Sequence, residues 1–183
     1  SLYRTYQQLI GDCDREIEAA LQKLPDQPSD QALPEKKKTS KRNPNAPGFD
    51  ARSLLYEKTG VDLTAIDGID ANTALKIVSE VGTDLSRWPT VKHFTSWLCL
   101  CPGNKKSGGK VLSTRSRRSA NRVAAALRMA SQGLGRSKSA LGAYYRKMKS
   151  RLGGPAALTA AAHKLARTVY ALLTQGQRYV DIG

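Results

Sequence analysis

From Leu85 to the end of this 183-residue chain a single carboxylate, Asp181, stands against 19 Lys and Arg side chains, a net charge of +18. Residues 1–84 are different, with 11 basic and 14 acidic side chains and a net charge of −3. A half with so few acids cannot be held together by ion pairs. Its cohesion must come from apolar burial, and its surface charge opposes compaction until a polyanion neutralises it. Nucleic acid is the expected polyanion, through phosphate contacts and counterion release. An anionic membrane fits less well, because no basic amphipathic helix with an exposed aromatic face stands out. There is no run of eighteen apolar residues and no charged-then-apolar leader, so neither a membrane span nor a secretory signal is expected. The three cysteines, Cys13, Cys99 and Cys101, are odd in number, and the C-x-C pair lacks a second Cys/His pair at zinc spacing. A reduced, cytoplasmic chain is the expectation.

With 40% apolar residues the chain can build a core, and the spacing of those residues predicts helices. Leu2, Tyr6, Leu9, Cys13, Ile17, Ala20 and Leu24 recur at steps of three or four, giving a helix of about six turns. Their narrow stripe suits either a coiled-coil seam or an ordinary amphipathic helix. Between Pro25 and Gly48 the composition turns to Pro, Asp, Gln, Lys and Asn without apolar periodicity, as in a flexible linker or exposed loop. Order resumes at Phe49, with a short helix stopped at Gly60. A second helix spans Ala71–Val81, capped by Asp70 and ended by Gly82. The run IDGIDANTALKI, from Ile66 to Ile77, resembles a helix-hairpin-helix, whose hairpin amides at a helix N-terminus hold a DNA phosphate. Asp70 stands where that pattern has a second glycine, so the run has two readings, DNA contact or packing of the next domain. Trp88, Val91, Phe94, Trp97, Leu98 and Leu100 are expected in the core. Three further helices are predicted, over 120–131, from about 138 to a stop at Gly153-Gly154, and from Pro155 onward.

The stretch from Asn104 to Arg122, NKKSGGKVLSTRSRRSANR, is read as a long non-helical connection. Phosphoryl transfer needs positive charge around the phosphorus and a positioned nucleophile. Here Gly108 and Gly109 allow close backbone approach to a phosphate, Lys106 and Lys110 bracket Ser107, and Lys105 precedes them. Arg115, Arg117, Arg118, Asn121 and Arg122 follow within reach of one DNA backbone. Lys147, Lys149 and Arg151 add a second basic group further on. The spacing is not that of a nucleotide-binding P-loop. No acid or histidine lies in the stretch, so composition leaves two readings of Ser107, a nucleophile whose base comes from elsewhere or a small residue in a soft basic loop. Tyr144 and Tyr145 are rival nucleophiles but fit a helix core better. His93 and His163 fit packing or capping roles and cannot form a metal site without further ligands, so no metal or cofactor is expected on this chain.

Taken in order, GVDLTAIDGI, TALKIVSEVG, FTSWLCLCPGN with SGGK, RSANRVAAALRMAS, YYRKMKSRLGGPAALTAAAHKLARTVYALL and the closing Tyr179 form a series. It resembles the C-terminal transposase domain of the DEDD insertion-sequence recombinases, the group that includes the Piv-type DNA invertases and the bridge-RNA-guided transposases. The similarity spans about Phe49 to Tyr179, and Ala120 departs from the glycine common in the family. The resemblance implies that Ser107 is the nucleophile that joins DNA covalently in site-specific recombination. It further implies an N-terminal RuvC-like domain whose carboxylates bind Mg²⁺, which nothing in this sequence matches, so a C-terminal fragment with half of a composite active site is expected. DNA, a structured guide RNA as in the RNA-guided members, and a second copy of the chain are the implied partners.

The organisation expected is therefore mainly α. Residues 1–24 form a coiled-coil-like dimerisation helix, 25–48 a flexible linker, and 49–183 a compact helical domain with the helix-hairpin-helix-like element and the long basic loop. The alternative is a non-catalytic DNA- or guide-RNA-binding and dimerisation module.

Overall fold

Asp70 accepts a hydrogen bond from the Thr73 amide at 2.8 Å and so starts the helix over Ala71–Val81, which Gly82 ends at a φ of 79°. The same local rule sets most boundaries in the computed structural model, which describes residues 1–27, 32–35 and 46–181. Among these residues the chain is mainly helical. The helices are α1 (Leu2–Gln22), α2 (Ala51–Thr59), α3 (Ala71–Val81), α4 (Val91–Trp97), α5 (Arg122–Gly133), α6 (Ala140–Leu152) and α7 (Gly154–Gln175), with one short hairpin between α4 and α5. Asp50, Asn121 and Ser139 cap α2, α5 and α6 by accepting from the amides of Ser53, Ala124 and Gly142. Gly60 closes α2 in the left-handed conformation.

α7 is the spine of the core. Its buried residues are Ala157, Ala161, Ala162, Leu165, Ala166, Val169 and Leu172, and α4, α5 and α6 all pack on it. The alanines let neighbouring helices approach closely, while each fully buried Leu or Val adds about 1.5–3 kcal/mol of apolar transfer. α5 also packs against α3, which rests on α2. An aromatic cluster fastens α4 to the spine. Trp88 meets Phe94 edge-on at 5.2 Å, Phe94 lies 5.5 Å from Tyr170, and the Tyr170 hydroxyl donates to the Trp88 carbonyl at 2.7 Å. Trp88, Phe94, Leu98 and Leu100 are buried as expected, whereas Trp97 and Val91 are half-buried.

The helix-hairpin-helix-like run packs inward. At Gly68, φ is +89°, and a Cβ there would lie 2.7 Å from the Ala130 carbonyl oxygen near the end of α5. Asp67 accepts a short hydrogen bond from the Ser137 hydroxyl ahead of α6. With Asp70 occupied as the α3 cap, this geometry favours the packing reading over direct DNA contact.

α1 is a helix of the expected length, but its apolar stripe meets little of the chain. Leu2 is 72% exposed and Leu9 53%, and only Leu21, at the far end, is buried. Of the segment expected as a linker, residues 28–31 and 36–45 lie outside the described residues. Its described parts hold to α2 and α1, since Lys58 Nζ meets Asp26 at 2.6 Å, Arg52 donates to the Pro34 carbonyl at 2.8 Å, and the Gly48 amide donates to Asp14 at 2.8 Å. Past α7, Gly176 turns the chain back. Asp181 accepts from the Ala140 amide at 3.1 Å, at the start of α6, and Tyr179 lies beside it. Burial, then the nearby Asp181 and Asp67 charges, push the Tyr179 hydroxyl up to about 12.

Candidate nucleic-acid interface

The stretch read as an irregular connection contains a β-hairpin. β1 (Lys105–Ser107) and β2 (Lys110–Ser113) pair antiparallel, with Ser107 opposite Lys110, Lys106 opposite Val111 and Lys105 opposite Ser113. Leu112 is the extra residue of a bulge. The strands are joined by Gly108 and Gly109 alone, at φ of 54° and 76°. Two positive φ values in a two-residue link are the requirement of a type I′ turn, which two glycines meet without steric cost. Strands of three and four residues with mostly polar side chains carry too little alternation to be seen in a sequence, so only a non-helical connection was expected here.

The root of the hairpin is fixed. Pro102 bridges to Ser116, and the Gly103 amide donates to the Arg115 carbonyl at 3.2 Å. A side chain at Gly103 would lie 2.8 Å from that carbonyl oxygen, so glycine is needed for the approach. Beneath the root, Cys101 Sγ lies 3.1 Å from the Thr95 hydroxyl and 3.8 Å from His163 Nε2. Burial, and secondarily the Arg167 charge, lower the His163 pKa, so the imidazole is neutral at pH 7. His163 thus takes a packing position, and exposed His93 pairs through Nδ1 with Thr90 at the start of α4.

Beyond the root every hairpin residue from Asn104 to Leu112 is exposed, Ser107 included. Among the described residues no carboxylate or imidazole is hydrogen-bonded to Ser107. Of the expected phosphate contacts, Lys105, Lys106, Gly108, Gly109 and Lys110 share this projecting ribbon. Arg115, Arg117 and Arg118 follow on the returning segment, all exposed. Arg117 is partly engaged in structure, donating to the carbonyl and hydroxyl oxygens of Ser96 at 3.3 Å and pinning the segment to α4. Arg122 pairs with Glu80 at 3.2 Å while its side chain remains 85% exposed, so this surface pair leaves it accessible and is worth little by itself. The Asn121 side-chain oxygen accepts from the Ala124 amide at 3.0 Å. Its oxygen therefore caps α5, a role separate from the phosphate contact expected of its side-chain amide. Lys147, Lys149 and Arg151 form a separate exposed group at the end of α6. Tyr145 is buried against Gly135, and Tyr144 is half-buried with the Lys164 ammonium 5.5 Å from its ring centre, as befits core residues rather than nucleophiles.

The Ser96 anchor for Arg117 and the Glu80 partner of Arg122 were not found from the sequence. They lie 21 and 42 residues from their partners, and no local pattern marks such pairs. No cluster of three or more His, Cys, Asp or Glu among the described residues is placed to hold a metal ion. No helix among them is long and apolar enough to cross a membrane.

Residues 62–146 match the model of the Transposase IS116/IS110/IS902 family. The match runs from the turn after α2, through α3, α4, the hairpin and α5, into α6, and it contains Ser107. It supports a transposase role, and with it contact with DNA. No curated protein matches the chain.

Proposed function

We propose that this chain is the serine-bearing part of a DNA transposase or site-specific recombinase and that Ser107 is its nucleophile. The observation that carries the reading is Ser107 at the exposed tip of a glycine-turned, lysine-flanked hairpin inside the segment that matches a transposase family. In the step proposed, Ser107 Oγ bonds to a DNA phosphorus as the bond from phosphorus to the leaving deoxyribose oxygen breaks. The serine proton passes to water, and the leaving oxygen takes a proton from water. The resulting phosphoserine diester keeps the number of phosphoester bonds, so a second hydroxyl can rejoin the strand without an external energy source. Lysine and arginine charge around the phosphorus stabilises the extra negative charge of the transition state.

The resemblance also implies carboxylates and Mg²⁺ from a RuvC-like domain beside the serine. The described residues offer that ion no seat, and none of the steps above runs through it. The exposed stripe of α1 supports a role in pairing two copies of the chain. A guide RNA remains a partner implied by the resemblance, and the exposed basic surface suits either nucleic acid.

Two measurements test the reading. With the full-length protein and its DNA, Ser107→Ala should abolish the covalent protein–DNA product, and a persisting product would remove Ser107 as nucleophile. Separately, Arg118→Gln should weaken DNA binding and lower the slope of log affinity against log salt by about 0.9. If Ser107→Ala leaves recombination intact while the arginine change weakens binding, the non-catalytic binding module is the correct description.

A further inference from the structure

In the sequence Lys106 is the immediate neighbour of Ser107 and Lys110 stands three residues on, but the hairpin reverses their nearness in space. Directly opposed residues of an antiparallel pair project from the same face, with Cβ atoms about 4.5–5.5 Å apart. Ser107 is opposite Lys110, so the Lys110 side chain rises beside the serine hydroxyl. β1 is the regular strand of the bulged pair, so Lys105, two residues before Ser107, shares that face. Lys106 alternates to the other face, opposite Val111. The type I′ turn locks this arrangement, because a one-residue slip would exchange the faces and lose the two-glycine link.

From this register we propose that Lys110, seconded by Lys105, is the positioning residue that holds positive charge against the Ser107 oxygen and the phosphate under attack, while Lys106 serves a different phosphate from the opposite face. The inference rests on the reading of Ser107 as nucleophile and divides the three lysines between two tasks. An ammonium beside Oγ favours the alkoxide that forms as the proton leaves and the charge that builds on the non-bridging oxygens. A lysine on the far face can only add to affinity. Among the described residues neither Lys105, Lys106 nor Lys110 forms an ion pair, so all three charges face outward, available to a phosphate.

The test needs no DNA. In Ser107→Cys the new thiol reports the charge around position 107 through the pH midpoint of its alkylation by iodoacetamide, resolved from Cys13, Cys99 and Cys101 by peptide mass spectrometry. A charge about 6 Å away in water displaces such a midpoint by about half a pH unit. Adding Lys110→Gln should therefore raise the midpoint by roughly that amount. Lys110→Arg should restore it, and Lys106→Gln, whose charge lies on the other face, should move it by less. All three substituted positions are exposed, and unchanged helix content by circular dichroism verifies that the variants fold. Equal shifts from Lys106→Gln and Lys110→Gln, or no shift from either, would overturn the proposal. A covalent DNA product that persists in Ser107→Ala would instead refute the nucleophile reading, leaving the order of the midpoints intact.

Discussion

Replacing Gly68 by alanine probes how the helix-hairpin-helix-like run is used. Its φ of +89° is costly for any residue with a Cβ, by about 1–2 kcal/mol. The added methyl would also stand 2.7 Å from the Ala130 carbonyl oxygen and 3.4 Å from Leu134 Cδ2. The first contact is with backbone, so relief requires the run to lift from α5, loosening the buried Ile66 and Ile69 that flank the turn. Partial loss of that packing adds a comparable amount, for a total of about 2–4 kcal/mol. Urea unfolding at matched conditions should show this as a lower midpoint with an unchanged slope, and thermal unfolding as a fall of roughly 4–16 °C. A loss below about 0.5 kcal/mol accompanied by a large loss of DNA affinity would refute the packing argument, since it would mean that the run faces nucleic acid and not α5.

Two other outcomes follow from the N-terminal half. Burial alone would raise the Asp62 pKa, but hydrogen bonds from Arg52 and Thr64 and the Arg52 charge outweigh it, and the carboxyl is held below its usual value. A depressed carboxylate stabilises the fold above its unfolded pKa of about 3.9, and the contribution disappears as pH falls through the lower folded value. Asp62→Asn should cost about 3–5 kcal/mol at pH 7 by leaving the nearly buried Arg52 guanidinium without its counter-charge, and should flatten the acid limb of a stability–pH curve. For α1, sedimentation of the chain with Leu9→Glu and Ile17→Glu should show a smaller species than the parent if the exposed stripe pairs two copies. An unchanged sedimentation coefficient would remove that role.

Several helix boundaries were legible because one residue decides them. Asp70, Gly60, Gly82, Gly153 and Pro155 act within a single turn, and each stands at the boundary their chemistry predicts. Ser107 was legible as a residue in a basic Gly/Ser stretch and, through the resemblance, as a nucleophile. Its neighbours were not, because which lysine stands beside it depends on strand register, and strands this short leave no periodic trace. Long-range pairings were illegible for a different reason. Arg117 with Ser96, Arg122 with Glu80 and Cys101 with His163 lie 21, 42 and 62 residues apart and meet only in the tertiary fold, which spacing along the chain does not encode.

The seat of Asp181 has a consequence for how the molecule would be found by its partner. The one negative charge of the C-terminal half is docked on the Ala140 amide, at the positive end of α6, where the helix dipole carries about half a unit of opposite charge. The dipole offsets part of that charge locally, and the 19 lysines and arginines of this half outweigh the rest, so the approach path to the basic side is shaped by lysine and arginine with little opposing field. Capture of a polyanion by such a surface is fast and weakly oriented at low ionic strength and slows steeply as salt rises. The C-terminal tail thus seats the one carboxylate of this half at a helix end, hydrogen-bonded to backbone and not to a lysine or arginine.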